Sequence, residues 1–158
     1  MVKQLLMNLV LSFIWVALTG SMNYTNFVFG FGLGFLILWM LNRNSADKRY
    51  FNRVPKIIGF VFYFIYEMLK ANLQVAYDVI TPNYFMKPGI VKYPLYARSD
   101  FEINLLSTVI SLTPGTLIID VSNDKQVLFI HVMYLRDKDA FIRQIKNGFE
   151  RRLLEIIR

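Results

Sequence analysis

The chain has one histidine and no cysteine, and these two facts remove most of the chemistry a protein can do. Disulfides, thiolate metal ligands, iron–sulfur clusters and cysteine nucleophiles are all excluded. His131 lies between Ile130 and Val132 in an apolar run, the setting of a packed strand residue rather than of a base. Ser111 and Ser122 would need a general base to become nucleophiles, and His131 is the one side chain that could supply it. Asp120 and Asp124 resemble a carboxylate pair for acid–base work, but they flank a polar stretch where Asp serves as a turn former. The residue types therefore predict no catalytic group, no metal site and no cofactor. More organised is the series Glu67, Lys70, Gln74 and Asp78, spaced at threes and fours, which puts all four on one helical face. We read this face as a contact to a partner chain. Solvation at a surface and participation in ion transfer are the alternatives.

The elements that carry these residues follow from composition. Of 158 residues, 55% are hydrophobic, 16% aromatic and only 18% charged. Of the 18 Lys and Arg, only Lys3 falls within residues 1–41, and no acid does. That excludes a soluble enzyme and a disordered chain alike. The aromatic content sits in apolar runs, so it is membrane-helix composition and not a base-stacking platform, and the net charge of +7 does not point to nucleic acid.

Residues 4–19 are uncharged and long enough for a membrane-spanning helix. A signal peptide is the competing reading, disfavoured because a second apolar stretch, residues 24–41, follows at once. Within it Gly30-Phe31-Gly32-Leu33-Gly34 lacks the strand, helix and spacing of a phosphate-binding loop. Gly30 and Gly34 instead share a helix face where another helix can approach closely, and we read them as a candidate contact to a partner chain. Residues 42–56 form a basic loop with Arg43, Lys48, Arg49, Arg53 and Lys56 against Asp47 alone. By the positive-inside rule both ends of the hairpin 1–41 face the cytoplasm. Val54-Pro55 then opens an amphipathic helix over 57–81, since Pro suits a first helical turn. Its charges argue against a third span, which would also export the 11 Lys and Arg of residues 82–158. It is expected to lie in the membrane interface or against partner helices.

Residues 82–158 read as a small α/β domain. Ile90–Tyr93 is a short strand, and Ser99 or Asp100 caps a helix whose Phe101, Leu105, Val109 and Leu112 form its apolar side. Thr113-Pro114-Gly115-Thr116 breaks that helix. Leu117–Val121 and Gln126–Met133 form a hairpin, and a last helix begins at Asp137 or Asp139. There Phe141, Ile145, Phe149, Leu153 and Ile156 face inward, with Arg143, Lys146, Glu150, Arg151 and Glu155 outside. The fold class is thus a membrane α-helical hairpin followed by an amphipathic helix and a small cytoplasmic α/β domain.

The run Ser111-Leu112-Thr113-Pro114-Gly115-Thr116-Leu117, with Asp120-Val121-Ser122 and Leu128-Phe129-Ile130-His131-Val132, resembles the E subunit of the Mrp (Mnh) multisubunit cation/proton antiporters. The similarity extends over the whole chain, including Asn72 within the long helix. It implies an accessory or assembly subunit of a large bacterial membrane complex that exchanges cytoplasmic sodium for external protons. Its partners would be the other antiporter subunits and the lipid bilayer, with Na+ and H+ as the complex's transported ions. A stand-alone channel or homo-oligomeric transporter, and a membrane-tethered enzyme, are the other classes open to such a chain.

Overall fold

A computed structural model describes residues 2–41, 49–81 and 86–158. They fall into two units, Met1–Pro55 and Lys56–Arg158. The first holds two helices of spanning length, α1 (Val2–Thr19) and α2 (Tyr24–Leu41). The turn between them is closed by Gly20, at φ +63°, a conformation that costs glycine nothing. Asn26 fastens it by donating to Thr19 Oγ1 (2.6 Å) and the Ser21 carbonyl (2.7 Å). The indole of Trp15 donates to Asn26 Oδ1 at 2.9 Å.

Gly30 and Gly34 lie buried where the two helices approach closely. A Cβ at Gly30 would stand 2.8 Å from Trp15 Cδ1, and one at Gly34 would collide with Asn8 Oδ1. The close approach read from their spacing is therefore made by this chain's own α1. Large apolar side chains flank this seam and stay exposed, Met40 among them, with the Phe13 and Phe27 rings meeting across it at 5.3 Å.

The third helix, α3, runs Arg49–Ile80. It starts earlier than the sequence reading placed it, and Pro55 lies inside it rather than at its first turn. The missing Pro55 N–H costs one helical hydrogen bond, and packing compensates. Tyr50 and Phe51 are buried against Leu38 and Phe35, so tertiary contacts hold the opening turn. The part of the basic loop at 42–48 lies outside the described residues, while 49–56 is helical.

In the second unit β1 (Gly89–Pro94), β2 (Thr116–Val121) and β3 (Val127–Val132) form an antiparallel sheet in the order β1-β3-β2. Helix α4 (Asp100–Ser111) carries the crossover from β1 to β2, which β3 separates. Ser99 is its cap, in a capping box with Glu102. The last helix has three parts: α5 (Lys138–Gln144), capped by Asp137, a π-helical turn over Ile145–Glu150, and α6 (Arg151–Ile157). One sheet face, with Val91, Tyr93, Leu128, Ile130 and Val132, meets Leu106, Ile110, Ile145, Phe149 and Leu153 from the helices. Each such side chain contributes ~1.5–3 kcal/mol on burial.

Two expectations for this unit are corrected. Phe101 and Leu112 are exposed, whereas Val109 is buried and Leu105 packs on the core as expected, joined by Ile103, Leu106 and Ile110. Its sheet-facing side is turned relative to the fours-and-threes series that began at Phe101. Glu150, expected outside, is 1% exposed. In a regular helix it would stand ~140° round from Ile145, but the wider π turn closes most of that angle and aims Glu150 inward.

Candidate functional site

The polar face of α3 is turned toward the chain's own α/β domain. Phe60, Tyr63 and Phe64 pack on the domain core, and the Tyr63 ring meets Phe149 at 5.3 Å. Glu67 Oε2 accepts from the Gln144 side-chain amide at 2.9 Å, with the Lys70 ammonium 3.9 Å away. Burial, and after it the Glu67 charge, pushes the Tyr63 phenol up to about 12. The opposite face carries Ile58, Phe62, Tyr66, Leu69, Leu73 and Val79, all exposed. A water-soluble helix would place these faces the other way round. Asn72 lies on that outer side and donates to the Met68 carbonyl at 3.0 Å.

One turn beyond Gln74 the face opens into a cleft of about 540 Å³, lined by Gln74, Tyr77, Asp78, Tyr134, Arg136, Asp137, Ala140, Phe141 and Gln144. Asp78 is 5% exposed. Its Oδ2 and the Tyr134 hydroxyl are buried, and neither makes a hydrogen bond. The two groups face each other short of full hydrogen-bond geometry: burial first, then the hydrogen-bonding approach of Asp78 and its charge, raise the Tyr134 phenol above its ordinary range. Asp137 is otherwise engaged, its Oδ1 accepting from the Asp139 and Ala140 N–H groups at 2.8 and 3.1 Å. Of the four polar-face residues singled out from the sequence, Gln74 and Asp78 line this cleft, Glu67 is tied to Gln144, and Lys70 is exposed.

The Thr113–Thr116 segment supports the cleft from behind. Gly115 adopts φ +85°, which a side chain would strain, and its carbonyl accepts from the Met133 N–H at 2.8 Å. A Cβ there would stand 3.4 Å from the Tyr134 ring. Thr116 Oγ1 donates to the Ile110 and Thr113 carbonyls at 2.6 and 2.8 Å, and Thr113 Oγ1 to Val109 at 3.3 Å. Pro114-Gly115 thus ends α4, starts β2 and fixes the residues around Tyr134.

His131 stands in register with Ile90 and Leu117, half-buried on the outer sheet face, away from the cleft. Ser111 Oγ accepts from the Ile118 N–H at 3.4 Å, and Ser122 donates to Asp124 at 2.5 Å. These are turn and cap contacts. Among the described residues no three His, Cys, Asp or Glu side chains group where they could hold a metal ion.

A second polar cluster escaped the sequence reading. Glu150 accepts from the Tyr93 hydroxyl (2.5 Å) and from the Tyr96 and Ala97 N–H groups (both 2.8 Å). Glu102 accepts from the next two amides, Arg98 (2.8 Å) and Ser99 (3.3 Å), and from Arg158 Nε at 3.0 Å. Four consecutive backbone donors between β1 and α4 are thus satisfied by two buried carboxylates. The S-x-x-E spacing of Ser99 and Glu102 is the one local signal of this arrangement. Nothing in the spacing of Glu150 announces it.

Comparison with known proteins places the whole chain. The sequence model of a family described as Na+/H+ ion antiporter subunit matches residues 8–156. The E subunit of the Na+/H+ antiporter from Alkalihalophilus pseudofirmus is 38% identical over 156 residues, covering 99% of each chain. Its counterpart from Bacillus subtilis is 36% identical over 158 residues, 100% of both. In the solved structure of the membrane-bound sulfane sulfur reductase, an archaeal respiratory membrane complex, one chain is 28% identical and superposes with a TM-score of 0.57 over 96% of each.

Proposed function

The chain belongs to the family of Na+/H+ antiporter E subunits, and on that premise we propose that it is an accessory subunit that stabilises a multisubunit antiporter in a bacterial cell membrane and has no reaction of its own. A member of this family is part of a transporter, not a classical enzyme. The carrying observation is the orientation of α3, whose charged face turns toward this chain's own domain, with Glu67 bonded to Gln144, while its apolar face is left outward. Such a face is built for lipid or for the helices of other antiporter subunits. No Asp, Glu, Lys or Arg lies on α1 or α2 beyond Lys3, so the hairpin offers no charged path for Na+ or H+.

The positive-inside rule orients the chain with its N-terminus and α/β domain in the cytoplasm, Asn23 outside, and α3 along the interface. Two measurements test the proposal. Purified through a tag in mild detergent, the chain should bring several very hydrophobic subunits with it; a solitary protein catalysing antiport or another reaction would refute the accessory role. In this cysteine-free chain a cysteine placed at Asn23 should be labelled from outside intact cells and one at Arg152 should not. Outside labelling at 152 would overturn the two-span topology.

A further inference from the structure

We propose that the cleft beside Asp78 receives a lysine or arginine side chain from a partner subunit. This rests on the accessory-subunit reading and adds the residue that makes the contact. The described residues bury four carboxylates, those of Glu67, Asp78, Glu102 and Glu150. Three of them are paired: Glu67 with Gln144 and Lys70, Glu102 with Arg158 and two amides, Glu150 with Tyr93 and two amides. Asp78 is the exception: its buried Oδ2 completes no hydrogen bond, faces the Tyr134 hydroxyl, and has no described cation paired with it. A buried, unpaired carboxylate is costly, and a cation brought by another chain removes that cost.

The cleft selects the kind of cation. At about 540 Å³ it is far larger than a bare ion needs, and no set of metal ligands converges among the described residues. Tyr77, Ala140 and Phe141 give it apolar walls, while Asp78, Tyr134 and Gln144 supply polar atoms. A long hydrocarbon stem ending in an ammonium or guanidinium matches both parts. Arg136 of this chain also lines the cleft but forms no described ion pair with Asp78, so it is the competitor a test must exclude.

The test uses the assembled complex. Asp78→Asn keeps the shape and removes the charge. It should raise the fraction of this chain lost from the purified assembly at moderate NaCl about tenfold, equivalent to about 1.4 kcal/mol. The thermal midpoint of the free full-length chain should stay level or rise, because an unpaired buried charge has gone. A photo-crosslinking residue at Ala140 should capture a Lys- or Arg-bearing segment of another subunit, and a Glu at that partner position should restore retention of Asp78→Lys. Wild-type retention by Asp78→Asn would overturn the proposal. So would an intact complex whose sodium dependence alone shifts, or crosslinks confined to this chain with Arg136→Gln reproducing Asp78→Asn. Failure of the wild-type chain to co-purify would instead refute the accessory-subunit reading itself.

Discussion

Among the described residues, the buried polar side chains of the helical hairpin are neutral, Asn8 and Ser12, whereas those of the unit that follows are carboxylates, Glu67, Asp78, Glu102 and Glu150. The difference follows from what each surrounding can donate. Along helices of spanning length the backbone N–H groups are consumed within the helix, so a buried anion would find no donors. An amide or hydroxyl is cheaper to bury and still bonds across elements, as Asn8 does by donating to the Tyr50 hydroxyl at 3.1 Å. The α/β part has loops, and a loop has spare N–H groups. Residues 96–99 present four in a row, and two carboxylates collect them. The units also differ in how they pack: the hairpin brings backbones together at glycines, and the sheet interleaves large side chains.

The sharpest way to break this comparison is Glu150→Ala. It leaves the Tyr93 hydroxyl, the buried Ala97 N–H and the part-buried Tyr96 N–H without their acceptor, at ~1–3 kcal/mol for each buried group orphaned. We expect a loss of ~4 kcal/mol, measured by thermal unfolding of the full chain in mild detergent. A loss below ~1 kcal/mol would mean that buried carboxylates do not organise this unit.

Next in size is the hairpin counterpart, Gly34→Leu against Gly32→Leu. A Cβ at Gly34 meets Asn8 Oδ1 and stands 3.2 Å from Leu11 Cβ, while one at Gly32 meets nothing within 4 Å. Overpacking should cost the first variant ~1–3 kcal/mol and the second almost nothing. Cysteines replacing Phe13 and Phe27, whose rings lie 5.3 Å apart, should crosslink less in Gly34→Leu and normally in Gly32→Leu. Equal crosslinking in both would show that backbone approach does not set the hairpin.

What the sequence disclosed in advance divides along the same physical line. The apolar runs, Gly30 and Gly34, the Pro114-Gly115 break and the Ser99 cap are local signals, and the structure contains each of them. The polar stripe of α3 was legible as a face, but not the side it turns to, because periodicity does not say what lies opposite. Glu150 was misplaced because a 3.6-residue period does not register a π turn. The Asn8–Tyr50 bond spans 42 residues, and Asp78 meets Tyr134 only once β3 and α3 are in place. Neither leaves a local pattern.

The smallest effect, and the one that sharpens the contrast between neutral and charged interiors, is a pH dependence. The Arg158 guanidinium, followed by the Arg98 N–H, holds the Glu102 carboxyl at about 2, against an ordinary value of 4.5. A carboxyl with a depressed folded value binds fewer protons folded than unfolded. Its contribution is therefore complete above about pH 4.5 and drains away as the pH falls toward about 2. Arg158 is half-exposed, with its side chain at 52%, so salt screens the pairing. The difference in thermal midpoint between the wild-type chain and Glu102→Gln should be constant from pH 7 to pH 5, narrow below pH 4.5, and be smaller throughout in 1 M NaCl. The hairpin, whose buried polar groups Asn8 and Ser12 do not titrate and which holds both tryptophans, Trp15 and Trp39, should keep its tryptophan fluorescence over the same range. A wild-type-to-Gln gap that stays flat down to pH 2 would assign Glu102 a packing role and leave its charge without consequence. Tryptophan fluorescence that changes in step with the gap would show that the two units do not respond to pH separately.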